Sequence, residues 1–382
     1  MKINKERIER AQHLMREQGM IGIMIMNRDD FRYFFGDIRV QPRAIIPAFG
    51  DPVMISFKGE ADEIQGALGD QPVKVFSHVG EQMANVSKTF RNLSKAVPEK
   101  MGLPEEGPVK VGMQMWFGTP AFLVDLFRKL NPQVELVPSD PVMDELRMVK
   151  EEGEIELLRQ AQEIAGLGMD RLRELLEPGR TGQGIAAEVL YTMMKAGASG
   201  TSTPMHINIG IRSCWIHGMV DETSIKDGDL VVADLTPMYQ GYCANLARTF
   251  VVGEPNEQQQ LLIDVYQEMI SAVQDALVPE VTVGRLDRIG SEVCARSGLE
   301  EYHLKGISHG IGLRFEETPA STILPQHSSV KLRENMIMTI GHTILSIPGF
   351  GGVRFEDLYR VTPGGGEILF SYPIEPVISL WI

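Results

Sequence analysis

Asp234 and Asn245 are the first residues of this sequence whose types and spacing indicate a chemical site. They lie in β-rich runs within residues 229–250, on either side of a turn that contains Gly241. This pattern predicts a hairpin that carries both side chains on neighbouring strands. Two carboxylates there would form half of a two-metal site, but an asparagine carries no negative charge. The asparagine therefore argues against a two-metal centre.

Three segments downstream carry further residues that ligate metals or transfer protons. They read Ser308-His309-Gly310-Ile311-Gly312, Met336-Ile337-Met338-Thr339-Ile340-Gly341-His342 and Gly352-Val353-Arg354-Phe355-Glu356-Asp357. Together with residues 229–250 they resemble the signatures of the pita-bread family, which includes creatinase, Xaa-Pro dipeptidases, aminopeptidase P and methionine aminopeptidases. The resemblance implies an α/β (α+β) fold, with an N-terminal creatinase-like α/β domain followed by a C-terminal pita-bread domain.

For the metal-dependent members of this family the resemblance implies five metal ligands: Asp, Asp, His, Glu and Glu. Asp234, His309 and Glu356 match three of them, whereas Asn245 replaces the second Asp and Gly341 replaces the first Glu. Divalent ions need enough charged ligands to offset dehydration, so we expect no metal cofactor. The alternative is one divalent ion, such as Mn, Co or Zn, on the three remnant ligands. Restoring both lost carboxylates is expected to raise metal uptake.

His217 is the predicted catalytic residue, in the segment Arg212-Ser213-Cys214-Trp215-Ile216-His217-Gly218. An imidazole titrates near pH ~6.5 and therefore exchanges protons at neutral pH without a metal. The segment resembles the family motif whose histidine transfers protons in creatinase, a relative that lacks the metal centre. A histidine that only forms hydrogen bonds within a loop is the alternative.

The other motif residues are predicted to contact the substrate. Asp234 and Glu356 would place two carboxylates in one cleft, so either one takes up a proton or a cation lies between them. Arg354 shares the strand face of Glu356 and is a candidate for that cation; a cationic substrate group is the other. His309 and Asn245 are expected to line the same site.

Residues 314–319 resemble the His-Glu-x-Pro element of the family, with Glu316 in the place of the histidine. A carboxylate repels an oxyanion and attracts a cation, so Glu316 predicts loss of peptidase activity and a role in substrate binding. A solvated loop residue is the alternative. His342 follows Gly341 where the family has Glu-Pro, and strand alternation directs it to the opposite face. The alternative is that His342 occupies the space left by the missing glutamate.

These residues favour a metal-independent, creatinase-like hydrolase of a C–N bond in a small cationic or zwitterionic substrate. The alternatives are a non-catalytic pita-bread binding protein and an Xaa-Pro-type metallopeptidase that retains one divalent ion. A thiol mechanism on Cys243 or Cys214 is weaker, because no orienting third group lies at a recognisable spacing. The resemblance also implies a homodimer.

The composition argues against several classes of partner. The chain has 37 basic and 51 acidic residues, and its net charge of −14 opposes non-specific binding to nucleic acid or anionic lipid. Its three cysteines lie far apart, as is typical of a reducing compartment. The apolar run at residues 20–26 is too short to span a bilayer. We therefore expect a cytoplasmic protein with a small-molecule substrate and no nucleic-acid or membrane partner.

The elements that must position these residues follow an α/β pattern, with helical and strand periodicity alternating early in the chain. Residues 1–140 are predicted to form a creatinase/prolidase-type N-terminal domain, and residues 141–382 a pita-bread catalytic-type domain. A long amphipathic helix opens the second domain. Its apolar residues recur every three or four positions from Ile155 to Leu176, and Pro178-Gly179 ends it.

Overall fold

The computed structural model describes residues 1–40, 43–71, 74–78, 82–104, 107–115 and 119–378. The chain divides into two units, residues 1–147 and 148–382. The sequence pattern placed this division after residue 140. The helix Asp140–Arg147 lies in the first unit because it packs on the helix Lys5–Glu17.

The first unit alternates helices and strands. Its elements are α1 (Lys5–Glu17), β1 (Met20–Ile25), α2 (Arg28–Phe35), β2 (Ala44–Pro47), β3 (Val53–Phe57), α3 (Lys58–Leu68), β4 (Lys74–His78), α4 (Gln82–Ala96), α5 (Pro98–Met101), β5 (Val109–Met113), α6 (Ala121–Leu130), β6 (Val134–Pro138) and α7 (Asp140–Arg147).

These strands form one mixed sheet with the order β4-β3-β2-β1-β5-β6. Strand β1 pairs antiparallel with β2 and parallel with β5. All six of its residues are buried, as is typical of a strand that is covered on both faces. The observed unit is therefore the α/β arrangement that the alternating pattern predicts.

The second unit contains the predicted site residues. Its elements are α8 (Glu152–Glu174), α9 (Gly182–Lys195), β7 (His206–Ile209), a 3₁₀ helix (Gly210–Cys214), β8 (Leu230–Leu235), β9 (Met238–Tyr239), β10 (Tyr242–Cys243), β11 (Leu246–Val252), α10 (Glu257–Asp275), α11 (Val283–Arg296), a 3₁₀ helix (Glu300–Tyr302), β12 (His309–Gly310), β13 (Glu317–Ala320), a 3₁₀ helix (Pro325–Ser329), β14 (Ile337–Ile340), β15 (Leu345–Ile347), β16 (Gly351–Val353), β17 (Asp357–Thr362), β18 (Gly365–Ile368) and β19 (Val377–Ile378).

Two helix-and-sheet layers form this unit. Helices α8 and α9 share a core with the sheet β19-β11-β8-β7. Helices α10 and α11 share a second core with the sheet β13-β12-β14-β17-β18. Helix α8 begins with a capping box in which Glu151 and Glu154 satisfy backbone N–H groups, and its apolar face is buried at the predicted spacing. The mixed α/β class predicted from the sequence is confirmed.

Among the described residues, no helix combines the length and the apolar character needed to cross a bilayer.

Candidate functional site

A row of cross-strand partners places two carboxylates on one face of the second unit. His206 on β7 pairs with Asp234 on β8, and Asp234 pairs with Ala247 on β11. Ala247 then forms a bridge with Glu356, with backbone hydrogen bonds of 3.0 Å in each direction. Cross-strand partners point to the same face, so the side chains of Asp234, Ala247 and Glu356 project to one side of the sheet. His206 was not among the predicted site residues, because its strand carries no motif.

The guanidinium of Arg354 lies between these two carboxylates. Its Nη1 is 3.1 Å from Asp234 Oδ2, and its Nη2 and Nε donate to Glu356 Oε2 at 2.5 and 3.1 Å. Thr249 fixes the backbone of Arg354, since its hydroxyl accepts from the Arg354 N–H at 2.7 Å and donates to the Arg354 carbonyl at 2.9 Å. Of the two cations considered from the sequence, Arg354 and a cationic substrate group, the structure thus places Arg354 between the carboxylates.

One guanidinium does not compensate two buried carboxylates equally. Burial raises the pKa of Asp234, and the nearby charge of Glu356 raises it further against the opposing effect of Arg354. Burial also opposes ionisation of Glu356, but Arg354 and His342 outweigh it and hold the pKa of Glu356 well below its usual range. The geometry gives the reason, because Glu356 receives two N–H groups of Arg354 whereas Asp234 faces one.

His309 lies on β12 and is completely buried. Its Nδ1 is 2.9 Å from the Gly310 carbonyl, so Nδ1 carries the proton and Nε2 presents a lone pair. Burial, with a smaller contribution from His342, lowers the pKa of His309 to about 3, which keeps the ring neutral. A Cβ at Gly310 would lie 2.7 Å from the Thr318 carbonyl oxygen, and one at Gly312 would meet the Glu317 carboxylate. These glycines therefore allow neighbouring groups to approach the backbone more closely than a side chain would permit.

His342 lies in the same cluster, and the prediction that it points to the opposite face is wrong. Its ring centroid is 4.5 Å from that of His309, with perpendicular planes. Gly341 follows the last residue of β14 and has a φ of +105°, which ends the strand alternation on which the prediction relied. The glycine itself was the available signal, because it marks a position where a strand pattern stops.

Tyr266 on α10 holds this segment in place. Its hydroxyl donates to the Gly341 carbonyl at 2.7 Å and also contacts the Thr343 carbonyl. The tyrosine is completely buried, and burial raises its pKa. The two residues that flank His342 are thus attached to a core helix, which fixes the position of the imidazole.

Glu316 completes a group of donors that fits one metal ion. The ligand atoms of His309, Glu316 and His342 all lie within 4.8 Å of one another. His342 Nε2 is 3.4 Å from Glu316 Oε1, and His342 Nδ1 is 3.6 Å from Glu356 Oε1. Among the described residues, His309 Nε2 and Glu356 Oε1 are buried without a hydrogen-bond partner, and they lie 3.8 Å apart. Two imidazoles and a carboxylate suit Mn, Co or Zn.

Asn245 and Gly341 cannot supply the carboxylates that the family pattern has at their positions, so they do not complete a second ion site. Asn245 is completely buried, and within the described ranges neither its Oδ1 nor its Nδ2 has a hydrogen-bond partner. It offers a carbonyl and an amide but no charge. At Gly341 an added Cβ would overlap the carbonyl oxygen of Phe355 and lie 3.1 Å from Glu356 Cα. A side chain is therefore excluded there without a shift of the backbone.

His217 lies apart from the buried cluster. It is exposed in the loop after the 3₁₀ helix Gly210–Cys214. Within the part of the chain that the structure describes, its side chain forms no hydrogen bond or ion pair with the cluster. Its neighbour Gly218 accepts a 2.7 Å hydrogen bond from His206 Nδ1, which attaches the loop to the strand beside Asp234. The catalytic role of His217 stays a prediction.

The geometry does not support the thiol alternative. Cys243 is buried and its Sγ lies 3.8 Å from the Leu313 carbonyl oxygen. Cys214 donates to the Ile347 carbonyl at 3.3 Å, and burial raises the pKa of its thiol. A thiol with a raised pKa is a poor nucleophile at neutral pH.

The sequence matches known families along most of its length. Residues 156–363 match the model of metallopeptidase family M24, and residues 7–149 match that of the creatinase/prolidase N-terminal domain. The Xaa-Pro dipeptidase of Pyrococcus furiosus is 30% identical over 365 residues, which are 96% of this chain and 97% of the relative.

Solved structures give the same result. The Xaa-Pro dipeptidase from Bacillus anthracis superposes with a TM-score of 0.84 at 25% identity, covering 98% of this chain and 99% of that one. The prolidase from Pyrococcus horikoshii OT3 gives a TM-score of 0.83 at 26% identity, covering 97% and 99%. The predicted arrangement of a creatinase-type N-terminal domain and a pita-bread domain is thereby confirmed, as is the prediction of a hydrolase acting on C–N bonds.

The prediction of no cofactor is wrong. The chain matches a metallopeptidase family and resembles Xaa-Pro dipeptidases, and it carries three clustered donors, of which His309 and His342 are buried and Glu316 is partly exposed. The prediction counted lost ligands at fixed motif positions, whereas Glu316 and His342 supply donors from other positions. The main functional prediction, a metal-independent creatinase-like hydrolase, is likewise unsupported, and the metallopeptidase alternative fits the matches better.

Proposed function

This chain belongs to metallopeptidase family M24, and we propose that it is a peptidase of the Xaa-Pro dipeptidase type that uses a single divalent ion held by His309, Glu316 and His342. The match of nearly the whole chain to Xaa-Pro dipeptidases supports the substrate class. Xaa-Pro dipeptides replace the small cationic or zwitterionic substrates that the metal-independent interpretation favoured.

One observation carries the proposal, namely the three donors of His309, Glu316 and His342 within 4.8 Å of one another. His309 Nε2 is buried and neutral, so a metal ion need not displace a proton from it. An unpartnered buried nitrogen costs about 1–3 kcal/mol, and a bound ion removes that cost. The group has the size and donor types of one coordination sphere, which supports one ion and not two.

A divalent ion, when bound, supplies Lewis-acid polarisation of a scissile peptide carbonyl. The protein's own residues orient the donors and the substrate around it. Glu356 stays ionised through Arg354 and presents Oε1 to both imidazoles. Asn245 offers an amide N–H and a carbonyl to the substrate from a buried position. His217, exposed and attached beside Asp234 through Gly218, is the proposed proton-transfer residue.

The test combines metal content with turnover. Protein purified without chelator is expected to hold about one divalent ion per chain, and to cleave Xaa-Pro dipeptides after loading with Mn, Co or Zn. The same dipeptides with alanine in place of proline are the matched control substrates. Creatine tests the metal-independent, creatinase-like interpretation. Protein that holds no ion after loading, or that cleaves creatine and no Xaa-Pro dipeptide, would contradict the proposal.

We also propose that the protein is a homodimer in a reducing compartment. The three cysteines are free thiols, which supports the compartment. Large apolar side chains that are exposed in the isolated chain support the dimer. They include Tyr191, Ile211, Trp215 and Met219. Light scattering at micromolar concentration is expected to give twice the chain mass, and a monomer mass would disprove the dimer.

A further inference from the structure

We propose that Glu316 and His342 form an exchanged ligand pair, in which each supplies the donor type that the family pattern places at the other segment. The inference rests on the proposed function only in taking the bound group to be a divalent ion. It goes further by pairing the two substitutions: Glu316 supplies the carboxylate that the segment at Gly341 lacks, and His342 supplies the imidazole that the segment at Glu316 lacks.

The first argument concerns donor types. Compared with the family pattern, the segment at Gly341 has lost a carboxylate and the segment at Glu316 has lost an imidazole. The structure contains a carboxylate in the second segment and, at His342, an imidazole in the first. The number of carboxylates and imidazoles offered by these two segments is therefore preserved, as is their formal charge. Two independent losses would preserve both only by coincidence.

The second argument concerns position. Strand β12, which carries His309, lies between β13 and β14. Glu316 directly precedes β13 and His342 lies two residues after β14 ends. The two donors therefore approach His309 from opposite neighbouring strands, and their atoms come within 3.4 Å of each other. Phe315 packs its ring 5.4 Å from that of His309 and 6.5 Å from that of His342, so the three rings form one cluster.

The third argument concerns the backbone at Gly341. With a φ of +105° this residue turns the chain so that His342 enters the cluster. The Gly341 and His342 N–H groups both donate to the Ile307 carbonyl, at 2.9 and 3.1 Å. Tyr266 is not one of the proposed ion ligands, but its hydroxyl donates to the Gly341 carbonyl and fixes it in place. The positive φ at position 341 thus explains both why this residue has no side chain and why the imidazole of His342 lies in the cluster.

The decisive measurement is Co²⁺ affinity with its visible absorption spectrum, which reports coordination geometry without any substrate. Wild-type protein is compared with Glu316→Gln, His342→Gln and the double variant. Each single variant is expected to bind Co²⁺ at least about 100-fold more weakly and to change the spectrum, because one of the side chains that contact the ion is lost. The second substitution should add less than the first, since residues that share one ion are not additive.

The exchange Glu316→His with His342→Glu restores one imidazole and one carboxylate. It is expected to recover at least about tenfold of the affinity lost in either single variant. His13→Gln and Glu367→Gln are matched controls, because both residues are exposed and lie outside the cluster, and their Co²⁺ affinity should equal that of wild type. Circular dichroism checks the fold of every variant. Glu316 has a 20% exposed side chain at the edge of the cluster, so Glu316→Gln suffices to decide the result if another variant fails to fold.

The inference is overturned if Glu316→Gln and His342→Gln bind Co²⁺ as wild type does while Asp234→Asn and Glu356→Gln do not. That result would place the ion on Asp234, His309 and Glu356. A wild-type protein that binds no Co²⁺ overturns it as well. Protein that binds Co²⁺ through Glu316 and His342 but cleaves no Xaa-Pro dipeptide would disprove the proposed function and leave this inference standing.

Discussion

Replacing Gly341 is expected to destabilise the protein and not to restore a metal ligand. From the sequence, Asn245→Asp with Gly341→Glu should raise metal uptake, because it restores both missing carboxylates. The structure reverses this expectation. Any Cβ at position 341 would overlap the Phe355 carbonyl oxygen and approach Glu356 Cα to 3.1 Å. Phe355 and Glu356 belong to the segment that carries Arg354, so a shift there disturbs the cluster.

The cost of Gly341→Ala has two parts. A residue with a side chain at a φ of +105° is strained by about 1–3 kcal/mol. The overlap with Phe355 adds about 1–3 kcal/mol, as for other overpacked sites. The sum is about 2–6 kcal/mol, and since each kcal/mol lowers Tm by about 2–4 °C in a domain of this size, we expect a fall of roughly 10 °C.

Thermal unfolding followed by circular dichroism measures this fall. Gly153→Ala is the matched control, because Gly153 lies in helix α8 and an added Cβ would meet nothing within 4 Å. That change is expected to keep Tm or raise it slightly, since alanine stabilises a helix by up to about 1 kcal/mol over glycine. A Gly341→Ala protein with the Tm of wild type, or an Asn245→Asp/Gly341→Glu protein that takes up a second ion, would refute the reasoning.

Three further predictions follow from the site. Tyr266→Phe removes the hydroxyl that donates to the Gly341 carbonyl. It should lower the free energy of unfolding by about 1–3 kcal/mol in urea titrations and weaken Co²⁺ binding about tenfold or more. Unchanged Co²⁺ binding would contradict the positioning role of Tyr266. His309 has a pKa of about 3 in the folded protein against ~6.5 in the unfolded chain, so the unfolded state binds more protons between these values and stability is lost as the pH falls. The Tm of His309→Gln should therefore decline less steeply with acid than that of wild type. Equal declines of the two proteins would disprove this prediction. His217→Ala should lower kcat by about two to four orders of magnitude without changing Co²⁺ affinity, and normal turnover would exclude His217 as the proton-transfer residue.

Much of the fold could be predicted from the sequence, because its elements follow local periodicity. Helix α8 has its apolar residues at helical spacing, and β1 is a continuous apolar run. The pairing of Arg354 with Glu356 could also be predicted, since the two residues are separated by one position on an extended segment. The bridge between Ala247 and Glu356 could not, because it joins segments far apart in the chain.

The sequence interpretation failed at positions where a local rule is broken. Strand alternation placed His342 on the wrong face, because it assumed that the strand continues through Gly341. Matching ligands position by position treated Glu316 as a loss of function, because it did not consider that a carboxylate in one segment can replace a carboxylate missing from another. Both errors concern the same site, and correcting them changes the predicted cofactor.

The buried polar atoms distinguish a rebuilt site from a decaying one. His309 Nε2 and Glu356 Oε1 are buried, and within the described ranges neither has a hydrogen-bond partner. Each such atom costs about 1–3 kcal/mol, a large fraction of the stability of a typical domain. In a protein that only kept the scaffold for binding, substitution by apolar residues of similar size would remove that cost. Instead the chain keeps these atoms within 3.8 Å of each other and surrounds them with Glu316 and His342. This arrangement favours an ion-dependent enzyme over a non-catalytic binding protein, because a bound cation turns these costs into favourable interactions.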